Sequence, residues 1–339
     1  GEYTIYHKSV GTPSGVINLL QALNVTLHGG VDPKTGKKQG LDTGNPDNFR
    51  SFDQLMNAYK MQVQYHVEQL AYQEELEYKI AAQTSPFLFL SMLYDDCIEQ
   101  GKPVFDGGVR YLGGTLETYG NTNTADSLFA IKKLVYDEKR FTLNELVALL
   151  DADFIGYEKE KKILLHAPKF GNDKEEADAM KVEVDRHVSL VTLNMKEKTG
   201  LHSYLIVVIN NNANTVMGRH TAASADGRNA WTYMANGNAP TGGCDTNGVT
   251  AMLNSLVKPD ITLTAGAVQN MKFSKSLFTK HRPELEALLY TYFSNGGAQA
   301  MINVLNRNDL QNAMKEPEKY SNLIVRVGGY CAKFVDLPR

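Results

Sequence analysis

Between Ala213 and Gly248 the chain runs for more than 30 residues dominated by Gly, Asn, Thr, Ala and Asp, with little helical or strand period. A compact chain holds so long an unpatterned stretch as a functional loop or as disorder. Regular structure must therefore come from its two sides. Just before it, His202–Asn212 (HSYLIVVINNN) reads as a buried strand. After it the pattern predicts helices near 249–256 and 283–294, a strand over Ala300–Asn306 and a short helix over 308–315. Paired strands over Leu323–Val327 and Cys331–Val335 follow. Towards the N-terminus, helices are predicted over 14–28, 52–83, from Pro86 to about Cys97, over 122–137 and 142–151, and over 173–198. The last is charged and expected to be exposed. Thr122 and Thr142 are the expected N-caps of their helices, and the Gly-rich 101–121 reads as a loop or short strand. Strands that alternate with helical segments make the class α/β.

Composition removes several functions. Lys and Arg number 35 against 38 Asp and Glu, a net charge of −3, which gives no broad electrostatic footprint for nucleic acid. Apolar residues make up 42% and charged residues 22%, enough for a large core. No apolar run approaches the roughly 18 residues of a membrane span. Three cysteines without a C-x-x-C pair fit a reducing compartment better than a disulfide scaffold or zinc site. His28, His66, His202 and His220 show no metal-ligand spacing. His66 lies beside an apolar helical stripe, as a structural histidine would.

At the C-terminal end two β runs flank Gly328-Gly329, which by itself describes a hairpin turn. The residues around it carry more. Arg326-Val327-Gly328-Gly329-Tyr330 resembles the R-V-x-G-Y signature of the pyruvate formate-lyase-like glycyl radical enzymes. NVLNRNDLQNAMKEPEKYSNLIVRVGGY (303–330) is similar to the segment that family carries before its radical loop. GRHTAASADGRNA (218–230) and the run 243–258 resemble loops of its second half. LYDDCIEQGKPVFDGGVRY (93–111), TADSLFAIKKLVYDEKRFT (124–142) and APKFGNDKEEAD (167–178) also fit. The similarity spans essentially the whole chain, in order.

The resemblance implies the second half of a ten-stranded α/β barrel, closed by a C-terminal finger that carries the radical. It divides the chain into 1–210, helical wrap and barrel segments after the thiyl loop; 211–300, Gly/Asn-rich loops and helices; and 301–339, the radical domain. The implied cofactor is a protein-based glycyl radical at Gly329, with no bound organic cofactor or metal. Losing an α-hydrogen leaves a radical that flattens at Cα and delocalises into both flanking amides. A Cβ would crowd that state. Gly328 stands where the family usually has Ser or Ala, a departure that loosens the turn.

In the family the stored radical takes a hydrogen from a cysteine, and the thiyl then attacks substrate. None of the three cysteines fits that role. Cys97 reads as a packing residue, Cys244 as a loop thiol open to oxidation, and Cys331 as a strand residue turned from the cavity. The resemblance puts the family's Cys-x-Glu motif so that the thiyl cysteine falls immediately before Gly1 and its acid/base falls on Glu2. By itself Glu2 would be a solvated terminal carboxylate. The chain is expected to begin just after its catalytic cysteine, or to be a radical-bearing half completed by a missing N-terminal half or partner chain. Such a half should expose an unpaired sheet edge. Glu74 and Glu75 read as a solvated helix face. Arg110 and Arg326 could each hold a substrate carboxylate, although the signature position suits Arg326 to pinning the radical loop. The Asn run 210–212 and the loop 236–248 are candidate cavity linings.

The implied function is thiyl-initiated elimination, dehydration or C–X cleavage, from a small-molecule substrate. Alternatives are an arylacetate-type decarboxylase, a formate acetyltransferase-like enzyme, and a non-catalytic radical-bearing subunit or repair fragment. The implied partner is a radical S-adenosylmethionine activating enzyme, acting in an anaerobic cytoplasm on a homodimer, with no nucleic acid or membrane involved.

Overall fold

The computed structural model describes residues 13–209, 212–327 and 330–337. Pro13–Asn18 forms strand β1, and Leu19–Leu27 forms helix α1. The sequence pattern merges the two into one helix over 14–28. The split falls at Asn18, whose side chain accepts from Gln21 N–H and so starts the helix there. Helix α2 (Phe52–Thr84) opens on Ser51 and buries Leu55, Tyr59, Val63 and Val67 along one stripe. The helix expected from Pro86 to Cys97 is instead two single turns, Leu88–Ser91 and Cys97–Gln100. Phe87 (φ 50°) and Asp96 (φ 75°) adopt left-handed backbone at their starts, which breaks the run.

Strand β2 (Gly113–Tyr119) lies inside the Gly-rich segment. It leads through Gly120 into helix α3 (Asn121–Ile131), so Thr122 sits within the first turn rather than capping it. Thr142 does cap helix α4 (Leu143–Asp151), with a full capping box to Glu145. Helix α5 (Glu158–His166) follows, and then helix α6 (Glu175–Thr199). Helix α6 is not the exposed helix its charges suggest. Met180, Lys181, Val184, Asp185 and Val188 are all buried, and Lys181 is tied to Asp185 one turn on.

Strand β3 (Ser203–Val208) is buried throughout. Helix α7 (Gly248–Leu256) precedes strands β4 (Thr264–Ala267) and β5 (Asn270–Phe273), neither of which the pattern marks. Helix α8 (Arg282–Ser294), strand β6 (Met301–Val304), helix α9 (Arg307–Lys315) and strands β7 (Ile324–Arg326) and β8 (Cys331–Lys333) complete the order.

Strands β1, β2, β3 and β4 make one sheet in that order, and all three pairings are parallel. Parallel neighbours need crossovers, and the helices between them supply these. Strands β5 and β6 form a second parallel pair, and β7 and β8 an antiparallel hairpin. Register puts Ile17, Thr118 and Val208 on one face of the sheet and Val16, Glu117 and Val207 on the other. Ile17 and Val208 join Leu55, Val63, Leu128, Val184 and Val188 in the main core. Among the described residues β1 and β4 are the free edges of this sheet. No described helix is long and apolar enough to cross a membrane.

Candidate active site

The carboxyl ends of parallel strands are where α/β proteins gather ligands, because connecting loops converge there. Here the long Gly/Asn-rich segment lies over those ends. Asn18, ending β1, donates to Thr221 Oγ1 (2.9 Å). Tyr119, ending β2, packs with Leu20 and Met234. Val268, just after β4, donates to the Val208 carbonyl (2.9 Å) and accepts from Asn238 N–H (3.0 Å).

Buried polar side chains hold this segment in place. Asn123 accepts from Ala235 N–H (2.7 Å) and donates to Asp226 (2.6 Å). Asn172 accepts from Thr246 N–H (2.8 Å) and Asn247 N–H (3.1 Å) and donates to the Cys244 carbonyl (2.7 Å). The Arg228 guanidinium donates to the carbonyls of Thr221, Ala222, Asn229 and Thr232. One side chain thus closes the turn on itself. Below the segment Asp126 is fully enclosed and accepts from Phe170 N–H (2.8 Å). Burial pushes its carboxyl up to about 7, against the pull of Lys169.

Between this segment and β5 lies a cleft of about 600 Å³, lined by Asn214, Tyr233, Met234, Asn236, Asn270 and Lys272 among others. Part of the expected lining loop 236–248 does border it. Asn210 and Asn211 lie outside the described residues. Sequence reasoning gave no role to Glu117. It is buried on the β2 face opposite Ile17 and Val208 and accepts from Tyr119 O–H (2.8 Å). Its signal was a carboxylate amid an otherwise uncharged strand, GGTLETY.

The C-terminal finger forms as expected in its arms. Ile324 faces Lys333, Val325 faces Ala332 and Arg326 faces Cys331. Val327 N–H donates to the Tyr330 carbonyl (2.9 Å), so pairing continues up to the two glycines. Gly328 and Gly329, and at the other end of the chain Gly1 and Glu2, lie outside the described residues. Arg326 is occupied by β6 and by the other arm of the finger. Its Nε donates to Met301 Sδ (3.4 Å) and its Nη1 to Cys331 Sγ (3.6 Å). Arg110 pairs with Asp96 (2.8 Å). Cys97 is buried against Val104 and Val109, Cys244 is half-buried and Cys331 exposed. Burial pushes the Cys97 and Cys244 thiols up, away from the reactive thiolate. Half-burial makes Cys244 less open than a loop thiol was expected to be. Burial also lowers the His66 pKa, as suits a structural imidazole. No three His, Cys, Asp or Glu among the described residues come together as a metal site would need.

Glu74 departs most from expectation. It is 1% exposed, behind the sheet, and burial pushes its carboxyl up to about 7. The Tyr78 hydroxyl lies 3.0 Å from both Glu74 Oε1 and the Gly113 carbonyl. Glu74 Oε1 also accepts from Thr115 N–H (3.3 Å), so these bonds only partly offset the burial that favours its protonated form. Between the ordinary carboxylate range and pH 7 the folded chain holds a proton that the unfolded chain releases. Stability therefore falls as pH rises through that window and stays reduced above it. Glu74→Gln, always neutral, should be more stable than wild type by roughly 2–3 kcal/mol at pH 8, with the gain vanishing towards pH 4.5. Urea midpoints measured across that range check it; Asp126, present in both proteins, cancels.

Comparison with known proteins places this geometry. A family model described as pyruvate formate lyase-like matches residues 2–218, and one described as glycine radical matches 234–335. Trans-4-hydroxy-L-proline dehydratase of Clostridioides difficile is 34% identical over 330 residues, covering 96% of this chain and 42% of that protein. Isethionate sulfite-lyase of Bilophila wadsworthia is 32% identical over 337 residues, covering 94% and 39%. The glycerol-bound B12-independent glycerol dehydratase of Clostridium butyricum superposes with a TM-score of 0.91 at 34% identity. That match covers 97% of this chain and 42% of the other. The chain thus spans well under half the length of these relatives.

Proposed function

Because this chain belongs to the pyruvate formate lyase-like family and carries its glycine radical domain, we propose that it is the radical-bearing portion of a glycyl radical lyase, with Gly329 as the storage site. The observation that supports this most is the finger: R-V-G-G-Y between the arms of an antiparallel hairpin whose Arg326 is tied to β6. The portion 301–339 acts as the radical domain, 1–210 supplies barrel strands and wrapping helices, and 211–300 supplies the covering loops.

A radical S-adenosylmethionine activating enzyme removes one α-hydrogen from Gly329. The glycyl radical then takes the S–H hydrogen of a cysteine on the completing polypeptide, leaving a thiyl. The thiyl takes a C–H hydrogen from substrate. Glu2 accepts the proton of the adjacent hydroxyl or ammonium while the leaving group departs with its electron pair. The product radical takes the hydrogen back from the cysteine, whose thiyl is quenched by Gly329. Elimination is favoured because the similar proteins named above are two dehydratases and a sulfite-lyase. A closed barrel keeps water from these radicals and strengthens each electrostatic contact.

Further polypeptide is expected to pack against this chain. Leu88, Phe89, Leu93 and Ile98 remain 64–74% exposed, an apolar surface that an isolated soluble domain would cover. We place the assembled enzyme in an anaerobic cytoplasm as a homodimer. Oxygen tests the proposal, since dioxygen adds to a backbone carbon radical and the chain breaks there. After activation and exposure to air, mass spectrometry should find a C-terminal piece that begins near Tyr330. An intact chain whose radical signal has vanished would count against it.

A further inference from the structure

The finger is joined to the rest of the fold in an unusual way. Strands β7 and β8 form their own two-stranded sheet, and β7 has no ladder with β6. A single side chain replaces that ladder. Asn303 Oδ1 accepts from Arg326 N–H (2.6 Å), and Asn303 Nδ2 donates to the Arg326 carbonyl (2.9 Å). These are the outward-facing backbone groups of Arg326, because Arg326 and Cys331 form a pair next to the bonded pair of Val327 and Tyr330. Asn303 is 8% exposed, so its amide works out of competition with water. Met301, two residues earlier on the same face of β6, receives the Arg326 Nε–H.

We propose that Asn303 is the positioning residue for the radical glycine: its amide acts as a one-residue strand that docks the finger onto β6. Only Asn suits this place. Asp keeps the acceptor and loses the donor, Leu loses both, and Gln carries its amide one methylene too far. Gly329 lies three residues beyond Arg326, at most about 10 Å of chain from the clamp. A shift at Asn303 therefore acts on a backbone only three residues in sequence from the radical position. Hydrogen exchange with a thiol demands near-contact geometry, and misplacement by about 1 Å can cost on the order of 100-fold.

This inference rests on the glycyl radical reading, and the test separates the two. Asn303→Asp, nearly isosteric, and Asn303→Leu are made in the assembled enzyme. Before activation, amide hydrogen exchange should accelerate in both variants across 323–334 and remain unchanged in α2 and β2. After activation, Asn303→Asp should still form the glycyl radical, with turnover per spin at least 10-fold lower and KM little changed. Should the Leu variant fail to fold, the Asp variant decides. Unchanged exchange in the finger, or turnover per spin within twofold of wild type, overturns the role of Asn303. A wild-type enzyme without any glycyl radical signal sinks the functional reading instead, and the exchange experiment still decides the clamp.

Discussion

Gly329→Ala is expected to abolish the radical altogether. Anaerobic activation of the wild-type assembled enzyme should give an electron paramagnetic resonance doublet, split by the one α-hydrogen left at Gly329. Incorporation of α-deuterated glycine should collapse that doublet to a singlet. An alanyl radical would have to flatten with a methyl group pressed against its flanking peptide units, and the bulk also hinders approach by the activating enzyme. Both effects act in the same direction, so spin per chain should fall to background and turnover with it. Gly328→Ala is the control. Its family position tolerates a small side chain, so the doublet should survive. A doublet of undiminished intensity in Gly329→Ala would move the radical to another residue and remove the basis of the proposed function.

What the sequence revealed and what it hid follow from how far each signal reaches. Helix α2 is legible because Leu55, Tyr59, Val63 and Val67 repeat at helical spacing, and β3 because apolar residues, most of them β-branched or aromatic, run without a break from Tyr204 to Val208. Strand β1 was hidden because Val16 and Ile17 continue the apolar spacing of Leu19, Leu20 and Leu23. Only the cap at Asn18 separates them. Strand β4 is Thr-Ala-Gly-Ala, in which only Thr264 favours a strand, and it pairs because β3 lies beside it.

Partners distant in sequence account for the larger errors. The segment 213–248 opens with a short helix, Ala213–Gly218, that its composition hides; beyond it the chain has little period because Asn123 and Asn172, far earlier in the chain, satisfy parts of its backbone. Helix α6 looked solvated because charge usually means exposure. Lys181 can be buried because it reaches Asp185 and Asn238. Glu74 could have been found. Val67, Ala71, Glu74 and Tyr78 continue the stripe of α2 at alternating spacings of four and three, which puts the carboxyl on the buried face. Its charged neighbour Glu75, paired with Lys79, disguised it. At the finger, the motif fixed which glycine matters. That Asn303 supplies the missing ladder is a contact across 23 residues of sequence and shows only in three dimensions.

Glu2→Gln should separate radical storage from chemistry. Storage needs Gly329 and the activating enzyme, so the doublet should form to the wild-type level. Elimination needs a group that takes the hydroxyl or ammonium proton as the leaving group departs, and a glutamine amide cannot accept it. Loss of a general base costs on the order of 10²–10⁴ in rate. Turnover per spin should fall by that factor, with spin per chain unchanged. The measurement is made on the assembled enzyme, after diols, amino alcohols, hydroxylated amino acids and arylacetates have been screened for a substrate. The pattern differs from that of Gly329→Ala, which removes spin and turnover together, and from that of Asn303→Asp, which also loosens the finger. Glu2→Gln should leave amide exchange across 323–334 unaltered, since it removes a proton acceptor and no contact of the finger. Normal turnover per spin in Glu2→Gln would make Glu2 a solvated carboxylate. Elimination would then need a base from another element, and Glu117, buried on the sheet face opposite Ile17 and Val208, would be the next residue to replace.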